Sequence, residues 1–508
     1  MFARLLVANR GEIAVRIIRA CRDLGISPVA VYSEADREAL HVKLSDQAHY
    51  LGPPPASESY LVIERIIDAA KKSGAEAVHP GYGFLAENGA LAEACEDSEL
   101  VFVGPSAASM ELMGDKIASR ATAQRAGIPV VPGSKNAVQS PDQAAKMAAE
   151  LGYPVMLKAS AGGGGKGLRL ARDEAALRSE YETARGEAES SFSDPTLFIE
   201  KFLPRPRHIE VQLLGDLHSN LIHLGERECS IQRRHQKVVE ECPSPLVHPK
   251  LREKLGEAAL AVARAAGYYN AGTVEFLVSG EDFYFLEMNT RLQVEHPVTE
   301  LVTGIDLVRE QILVAAGEKL AHSQADIQLE GAAIECRIYA EDPRNNFVPS
   351  PGRITTLFEP SGPGIRNDSG IYAGASIPLY YDPLISKLIA HGRDRDQAIA
   401  RMRRALGEYK IWGVQTTIPF FEALLSHPEF EKGHLHTQFI EEHGIIDRLV
   451  QQDESLEIMP LLAAALHYFL QPLDRVAAPE GSASSGWKQS ARPFPYSGGI
   501  RRSPSSKW

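Results

Sequence analysis

The chain has 508 residues, 44% of them hydrophobic and 24% charged, and a formal net charge of −12. This length exceeds one ordinary core and the composition is that of a soluble globular protein, so roughly two to four domains are expected. The acidic balance argues against nucleic-acid binding through bulk electrostatics, and the longest apolar run near the end, Leu461 to Leu466, is far shorter than the ~20 residues of a membrane span.

From the N-terminus, Leu5-Leu6-Val7-Ala8 is strand-like, with no signal segment ahead of it. Glu12 to Leu24 has helical periodicity, and Val29-Ala30-Val31-Tyr32 is strand-like again. A helix over Tyr60 to Lys72 and strands at Ala77-Val78-His79 and Leu100-Val101-Phe102-Val103 follow. Strands alternating with helices predict a parallel, doubly wound sheet over residues 1–113. The first turn, Asn9-Arg10-Gly11-Glu12, lacks G-x-G-x-x-G, so a Rossmann-like scaffold without a dinucleotide is expected. Near residue 130 the texture changes to Pro- and Gly-punctuated strands, running to about 320. Residues 331–446 open on a strand pattern from Ala332 to Ile338 and close on helices from Arg395 onward. The fold class expected is therefore α/β and α+β. Past Asp447, one amphipathic helix is expected over Leu456 to Leu470, and residues 477–508 read as disordered or partner-dependent. Five scattered cysteines (Cys21, Cys95, Cys229, Cys242, Cys336) with no Cys-x-x-Cys pair read as reduced thiols of a cytoplasmic protein.

The run Ala159-Ser160-Ala161-Gly162-Gly163-Gly164-Gly165-Lys166-Gly167 lies between strand-like Val155 to Lys158 and strand-like Leu168 to Ala171. That context is a hairpin rather than a strand–loop–helix, and Lys166 is followed by Gly167, which excludes a Walker A loop. A hairpin tip of bare backbone N–H groups can close over phosphates, with Lys158 and Lys166 adding charge. A flexible surface hairpin is the alternative.

A second hairpin is predicted from Thr273 to Val278, a turn at Ser279-Gly280-Glu281-Asp282, and a return to Asn289. It brings Glu275 close to Glu287 and Asn289. Oxygen ligands with no His or Cys beside them suit Mg²⁺ or Mn²⁺; exposed acids paired with lysines are the alternative. From Glu287 every odd position is polar: Glu287, Asn289, Arg291, Gln293, Glu295. The even positions include Met288, Leu292 and Val294. In an extended backbone the polar set lines one edge, either as a solvated face or as a metal-plus-anion site.

These features resemble the ATP-grasp superfamily and, within it, biotin carboxylase. The resemblance runs from Leu5 to about Gly444. It is carried also by His79-Pro80-Gly81-Tyr82-Gly83-Phe84-Leu85-Ala86-Glu87-Asn88, by Arg233-Arg234-His235-Gln236-Lys237, by Ser350-Pro351-Gly352-Arg353 and by Tyr381 to Lys387. It implies a Rossmann-like pre-ATP-grasp domain over 1–113, an ATP-grasp domain over 114–330 with a mobile lid at about 131–203, and a biotin carboxylase C-terminal domain over 331–446. A helix and tail, 447–508, would follow.

The resemblance also implies a site. ATP would be held by Lys116, Lys158, Gly164, Gly165, Glu200-Lys201-Phe202-Leu203, His208, Gln232 and His235, and Mg²⁺ or Mn²⁺ by Glu275, Glu287 and Asn289. Bicarbonate would sit among Lys237, Arg291, Gln293, Val294 and Glu295, and biotin would meet Arg337. A guanidinium at Arg291 can grip bicarbonate in bidentate fashion, and a carboxylate at Glu295 can take its proton. Lys237, Arg291, Glu295 and Arg337 are thus the expected catalytic set.

The implied reaction is ATP- and bicarbonate-dependent carboxylation of biotin through carboxyphosphate. No Met-Lys-Met attachment motif is present, so biotin would ride on a separate carrier protein, with a carboxyltransferase subunit completing the enzyme. The resemblance implies a homodimer; neither nucleic acid nor membrane is expected as a partner. The alternatives are another ATP-grasp carboxylate–amine ligase and a non-catalytic nucleotide-binding protein.

Overall fold

In the computed structural model, the first strand, β1 (Arg4–Val7), is buried on both faces: Leu5 and Val7 enter one apolar cluster, Leu6 and Ala8 another. It pairs in parallel with β2 (Ser27–Ser33) and with β4 (Ala77–His79). With β3 (Gln47–Gly52) and β5 (Val101–Phe102) they form a five-stranded parallel sheet in the order β3-β2-β1-β4-β5. Burial on both faces is what continuous apolar strands of a doubly wound sheet require. Helix α1 (Gly11–Asp23) packs Ile13, Ile17, Ile18 and Cys21 into the first cluster. Strand β3 was not expected: it is an edge strand with Gln47, Ala48 and Tyr50 exposed, so it carries no apolar alternation.

The structure describes residues 1–449 except 135, 160–167 and 193, together with 465 and 466. By their contacts the residues fall into two units, 1–451 and 452–508. Apart from 465 and 466, the helix expected over 456–470 and the tail expected over 477–508 lie outside the described residues.

Strands β6 (Val155–Ala159), β7 (Leu168–Ala171) and β8 (Leu197–Lys201) form a separate antiparallel sheet in the order β7-β6-β8. Val155 pairs with Ala171 and Lys158 with Leu168, which is the hairpin expected from the sequence. Its tip, with Gly164, Gly165 and Lys166, lies outside the described residues. The helices Pro141–Leu151 and Glu174–Phe192 supply Ala144, Ala148, Leu177 and Ala184 to the core beneath this sheet.

The largest sheet is antiparallel and contains β9 (Arg207–Gly215), β10 (Leu221–Arg233), β11 (Gln236–Cys242), β12 (Asn270–Ser279), β13 (Asp282–Asn289) and β14 (Ala332–Tyr339). Strands Leu384–Gly392 and Ile365–Ser369 complete it. The order is β13-β12-β9-β10-β11-β14, then these last two. The β11–β14 ladder, with Glu240 opposite Glu335, carries hydrogen bonding across residue 330, where the sequence texture changes. Gly370 lets α1 approach the far end of this sheet, since a Cβ there would lie 2.7 Å from the Glu12 backbone nitrogen.

Two buried charges hold these layers together. Arg227, fully buried on β10, pairs with Glu210 of β9 and donates to Gln212 Oε1 (2.6 Å), Thr299 Oγ1 (3.0 Å) and Thr273 Oγ1 (3.1 Å). Lys387, also fully buried, donates to Val294 O at 2.8 Å and lies 3.4 Å from Glu12 Oε1. Burial pushes Glu12 up to about 7, an effect that Lys387 only partly offsets.

Arg227→Leu leaves Glu210 to Lys237 alone, and should lower stability by about 3–5 kcal/mol in denaturant unfolding. Glu12 binds its proton more tightly folded than unfolded, so its contribution weakens as pH rises from about 4.5 to about 7. Glu12→Gln should therefore gain stability relative to wild type at pH 8, on the order of 3 kcal/mol, and show little difference below pH ~4.5. Paired unfolding curves at the two pH values measure this.

Candidate active site

The three sheets face a cleft of about 1880 Å³. Every described residue expected to bind nucleotide, metal, bicarbonate or biotin lines it except Glu295, which lies fully buried beneath its floor.

The β12–β13 hairpin places Glu275 directly opposite Glu287 and Thr273 opposite Asn289. Asn289 Nδ2 donates to Glu275 Oε1 at 2.9 Å. Glu275 also accepts from Lys237 Nζ (2.7 Å) and pairs with His208 Nε2 (2.7 Å), and Gln232 Nε2 reaches His208 Nδ1 at 2.8 Å. Burial opposes ionisation of Glu275, but Lys237 and His208 more than offset it and hold the carboxyl below its usual range. Glu287 keeps solvent contact through the cleft; desolvation within that concave wall and the facing Glu275 push its carboxyl up. Two facing carboxylates beside an amide oxygen match the donor set a hard divalent cation takes. Glu275, Glu287 and Asn289 therefore fit Mg²⁺ or Mn²⁺.

The polar alternation from Glu287 to Glu295 does not lie on one strand, as an extended backbone would have it. β13 ends at Asn289, and residues 290–295 form an irregular turn into the helix His296–Thr303. Thr290 N donates to Glu87 Oε1 (3.0 Å) instead of a ladder partner. Lys387 holds Val294 O, and Pro297 in the helix's first turn commits Glu295 to the cap position. The alternation survives as a division of labour. Glu287, Asn289, Arg291 and Gln293 face the cleft, while Met288 and Leu292 enter apolar cores.

Arg291, on the cleft, is held by three acceptors: Nε donates to Glu87 Oε2 (2.9 Å), Nη1 to Gln293 Oε1 (2.9 Å) and Nη2 to Asn289 Oδ1 (3.1 Å). Lys237 Nζ is shared by Glu210, Glu275 (2.7 Å) and Glu295 (2.8 Å). Burial favours a neutral amine, but these three carboxylates overcome it and keep Lys237 charged. Arg337 Nη2 lies 2.9 Å from Glu295 Oε2 and 2.7 Å from Glu240 Oε1. Burial disfavours the Glu295 anion; Lys237, Arg337 and Arg227 outweigh it and hold the carboxyl well below its ordinary range.

On the opposite wall, Lys158 and Arg120 both grip the Glu200 carboxylate. The Lys201 amine turns away to Gly152 O (2.6 Å) and Tyr153 O (3.5 Å), which leaves its backbone, with Phe202 and Leu203, on the cleft. Lys116 stands at the start of the helix Lys116–Arg125, capped by Asp115. His235 sits exposed at the β10–β11 hairpin tip, where it and Arg234 adopt positive φ.

Sequence reasoning missed Glu210, Arg227, Glu240 and Lys387. Their signal was present: Ile209-Glu210-Val211-Gln212-Leu213 alternates like a half-exposed strand, yet every residue is buried. Only the position of β9 inside an eight-stranded sheet reveals that its polar face points inward.

Family models match in three consecutive pieces: biotin carboxylase, N-terminal domain (residues 1–110); carbamoyl-phosphate synthase L chain, ATP binding domain (115–323); and biotin carboxylase C-terminal domain (335–442). The chain is 55% identical over 461 residues to a pyruvate carboxylase subunit of Methanothermobacter thermautotrophicus, covering 90% of this chain and 94% of that one. It is 53% identical over 448 residues to biotin carboxylase 1 of Bacillus subtilis, covering 88% and 100%. Among solved structures it resembles the biotin carboxylase domain dimer of Hydrogenobacter thermophilus 2-oxoglutarate carboxylase, crystallised with MgADP, ADP and bicarbonate. That match has a TM-score of 0.83 and 50% identity, over 88% of this chain and 98% of that one. A Campylobacter jejuni biotin carboxylase in a β-γ-ATP complex matches at a TM-score of 0.84 and 48% identity, over 87% and 99%. Domain order, identity over nearly the full described fold and a shared architecture agree, and the chain belongs to the biotin carboxylase family of ATP-grasp ligases.

Proposed function

We propose that this chain is the biotin carboxylase subunit of a multi-subunit biotin-dependent carboxylase, acting in the cytoplasm on biotin borne by a separate carrier chain and working with a carboxyltransferase subunit. The observation that carries the reading is the convergence of Lys237, Arg291, Gln293 and Arg337 on one region of the cleft, with Glu295 in contact beneath them and Glu275, Glu287, Lys116 and Lys158 lining the same cleft. Relatives of 49–55% identity carry names with different acceptors, among them pyruvate, propionyl-CoA and methylcrotonoyl-CoA. The chemistry common to them is the biotin half-reaction, so the acceptor belongs to the partner subunit. The homodimer is supported by the dimeric Hydrogenobacter domain.

In this reading Lys116, Lys158 and His235 meet the phosphates, His208 and Gln232 hold the wall beside them, and the backbone of Glu200 to Leu203 borders the base. A divalent cation on Glu275, Glu287 and Asn289 supplies charge neutralisation of the triphosphate when bound. Arg291 and Gln293 orient bicarbonate, with the Val294 backbone closing one side and Lys237 balancing its charge. Glu295, kept ionised, accepts the bicarbonate proton as the bicarbonate oxygen bonds to the γ-phosphorus and ADP leaves. Carboxyphosphate then breaks to CO₂ and phosphate, and the phosphate takes the ureido N1 proton of biotin. Arg337 stabilises the resulting anion as N1 bonds to CO₂.

The decisive assay is ATP cleavage that needs bicarbonate and is stimulated by free biotin; ATP cleavage stimulated instead by an amine acceptor would favour another ATP-grasp ligase. Glu295→Gln and Arg337→Ala should each lower free-biotin carboxylation by about 10²-fold or more, the scale of one lost preorganised charge partner. Wild-type turnover in either variant would reject these roles for Glu295 and Arg337. Glu287→Gln should raise the Mg²⁺ concentration needed for half-maximal ATP cleavage by about tenfold or more; an unchanged Mg²⁺ requirement would remove Glu287 from the metal site.

A further inference from the structure

Four buried charged side chains share one face of three adjacent strands. Glu240 on β11 stands directly opposite Glu335 on β14, and Arg337 on β14 stands opposite Lys387 on the strand Leu384–Gly392. Positions two apart on a strand share a face, so two acids and two bases form one block. Arg337 is claimed by both Glu240 and Glu295, and Lys387 lies against Glu12. Lys237, which also serves Glu295, is divided among Glu210 and Glu275 as well.

Around Arg337, away from the metal ligands, the charges do not close: Glu240 and Glu295 both claim the guanidinium and Glu335 stands beside Glu240, while the neighbouring Lys237 is already divided. An unpaired ion in the interior costs several kcal/mol, and a bound proton removes that cost. The Glu240–Glu335 pair is where one proton belongs. The two residues are direct cross-strand partners, so their acidic side chains stand side by side on one face of the sheet. Neither oxygen of Glu335 has a hydrogen-bond partner among the described residues. Burial, only partly offset by Arg337, brings Glu240 to about 7, and burial, partly offset by Lys387, pushes Glu335 well above the ordinary carboxylate range.

We propose that Glu240 is the positioning residue of Arg337, and that it shares one bound proton with Glu335 across the sheet, so that the pair presents a single negative charge to the guanidinium. Two full charges behind Arg337 would draw it off Glu295 and away from the cleft. A neutral pair would leave its inner side unpartnered. One charge balances the single charge of Glu295 on the other side. The activity readouts rest on the biotin carboxylation reading above; the proton readout does not.

The test uses the full-length chain. In infrared spectra with ¹³C-labelled glutamate, a protonated buried carboxyl band is expected in wild type and should be lost or shifted in Glu335→Gln. Its absence from wild type, or its persistence unchanged in both Glu335→Gln and Glu240→Gln, overturns the shared proton. Glu240→Gln should lower free-biotin carboxylation by about tenfold or more. Its biotin-independent, bicarbonate-dependent ATP cleavage and its KM for ATP should stay within about threefold of wild type, because Lys237, Arg227 and Arg337 still hold Glu295 ionised when Glu240 is replaced. Unchanged carboxylation, or equal loss of both activities, overturns the positioning role. If Glu240→Gln does not fold, Glu240→Asp, which retains the charge but shortens its reach to Arg337, should show the same split between the two activities, and equal loss there is equally fatal. A wild-type chain with no biotin-stimulated ATP cleavage would instead reject the function, leaving the infrared result to stand or fall by itself.

Discussion

The site depends on one ammonium group shared by three carboxylates. Lys237 of β11 is held by Glu210 of β9, Glu275 of β12 and Glu295 of the turn before the helix His296–Thr303. Without the cation those carboxylates would repel one another in a low-dielectric interior, and with it they fix a common point from three separate elements. Strand β10 lies between β9 and β11, and there it carries Cys229, whose Sγ lies 3.9 Å from Glu295 Oε1. A small side chain at that position leaves room for the lysine to reach across. Arg227, deeper on β10, pairs with the other oxygen of Glu210 and so anchors the network to the fold.

Such a network is costly as a source of stability, since buried ion pairs often fail to repay their desolvation. Its return is placement. Arg337 and Glu295 come from segments that the sequence texture separates at about residue 330, yet they meet at 2.9 Å, because the β11–β14 ladder seats Arg337 in the sheet whose Lys237 holds the Glu295 turn. The same ladder brings Glu240 and Glu335 together. This ladder, with the turn that Lys237 and Lys387 tie to it, therefore sets the groups proposed to meet bicarbonate and biotin, while Lys158 and Glu200 reach the cleft from the separate β6–β8 sheet.

Much of this was legible beforehand, and the parts that were not share a cause. The β12–β13 hairpin follows from local pattern, and with it the facing of Glu275 and Glu287, because register in a short hairpin is set by its turn. The doubly wound sheet follows from alternation of apolar runs, whereas edge strand β3 has no such run to announce it. Glu210, Glu240 and Lys387 sit on strands whose polar face looks like a surface in isolation. Their burial depends on neighbours β9 to β14 and Leu384–Gly392, which pair across long stretches of chain. The turn after Asn289 was misread as strand because period-two alternation does not require a ladder: Arg291 and Gln293 keep their side-chain facing through contacts with Glu87 and Glu275 instead.

The contact between Glu295 and Arg337 also orders the proposed chemistry in time. While Glu295 is ionised it holds one side of the guanidinium at 2.9 Å, and the charge of Arg337 is divided between Glu295 and Glu240. A proton arriving on Glu295 from bicarbonate cancels that carboxylate's charge. The Coulombic share returned to Arg337 is then free for an anion in the cleft, and the anion that forms next is the deprotonated ureido group of biotin. Because the interior dielectric is low, a single proton changes this balance more than it would in water. The group that activates the first substrate thus governs the charge offered to the second, and the biotin anion is favoured only after bicarbonate has given up its proton.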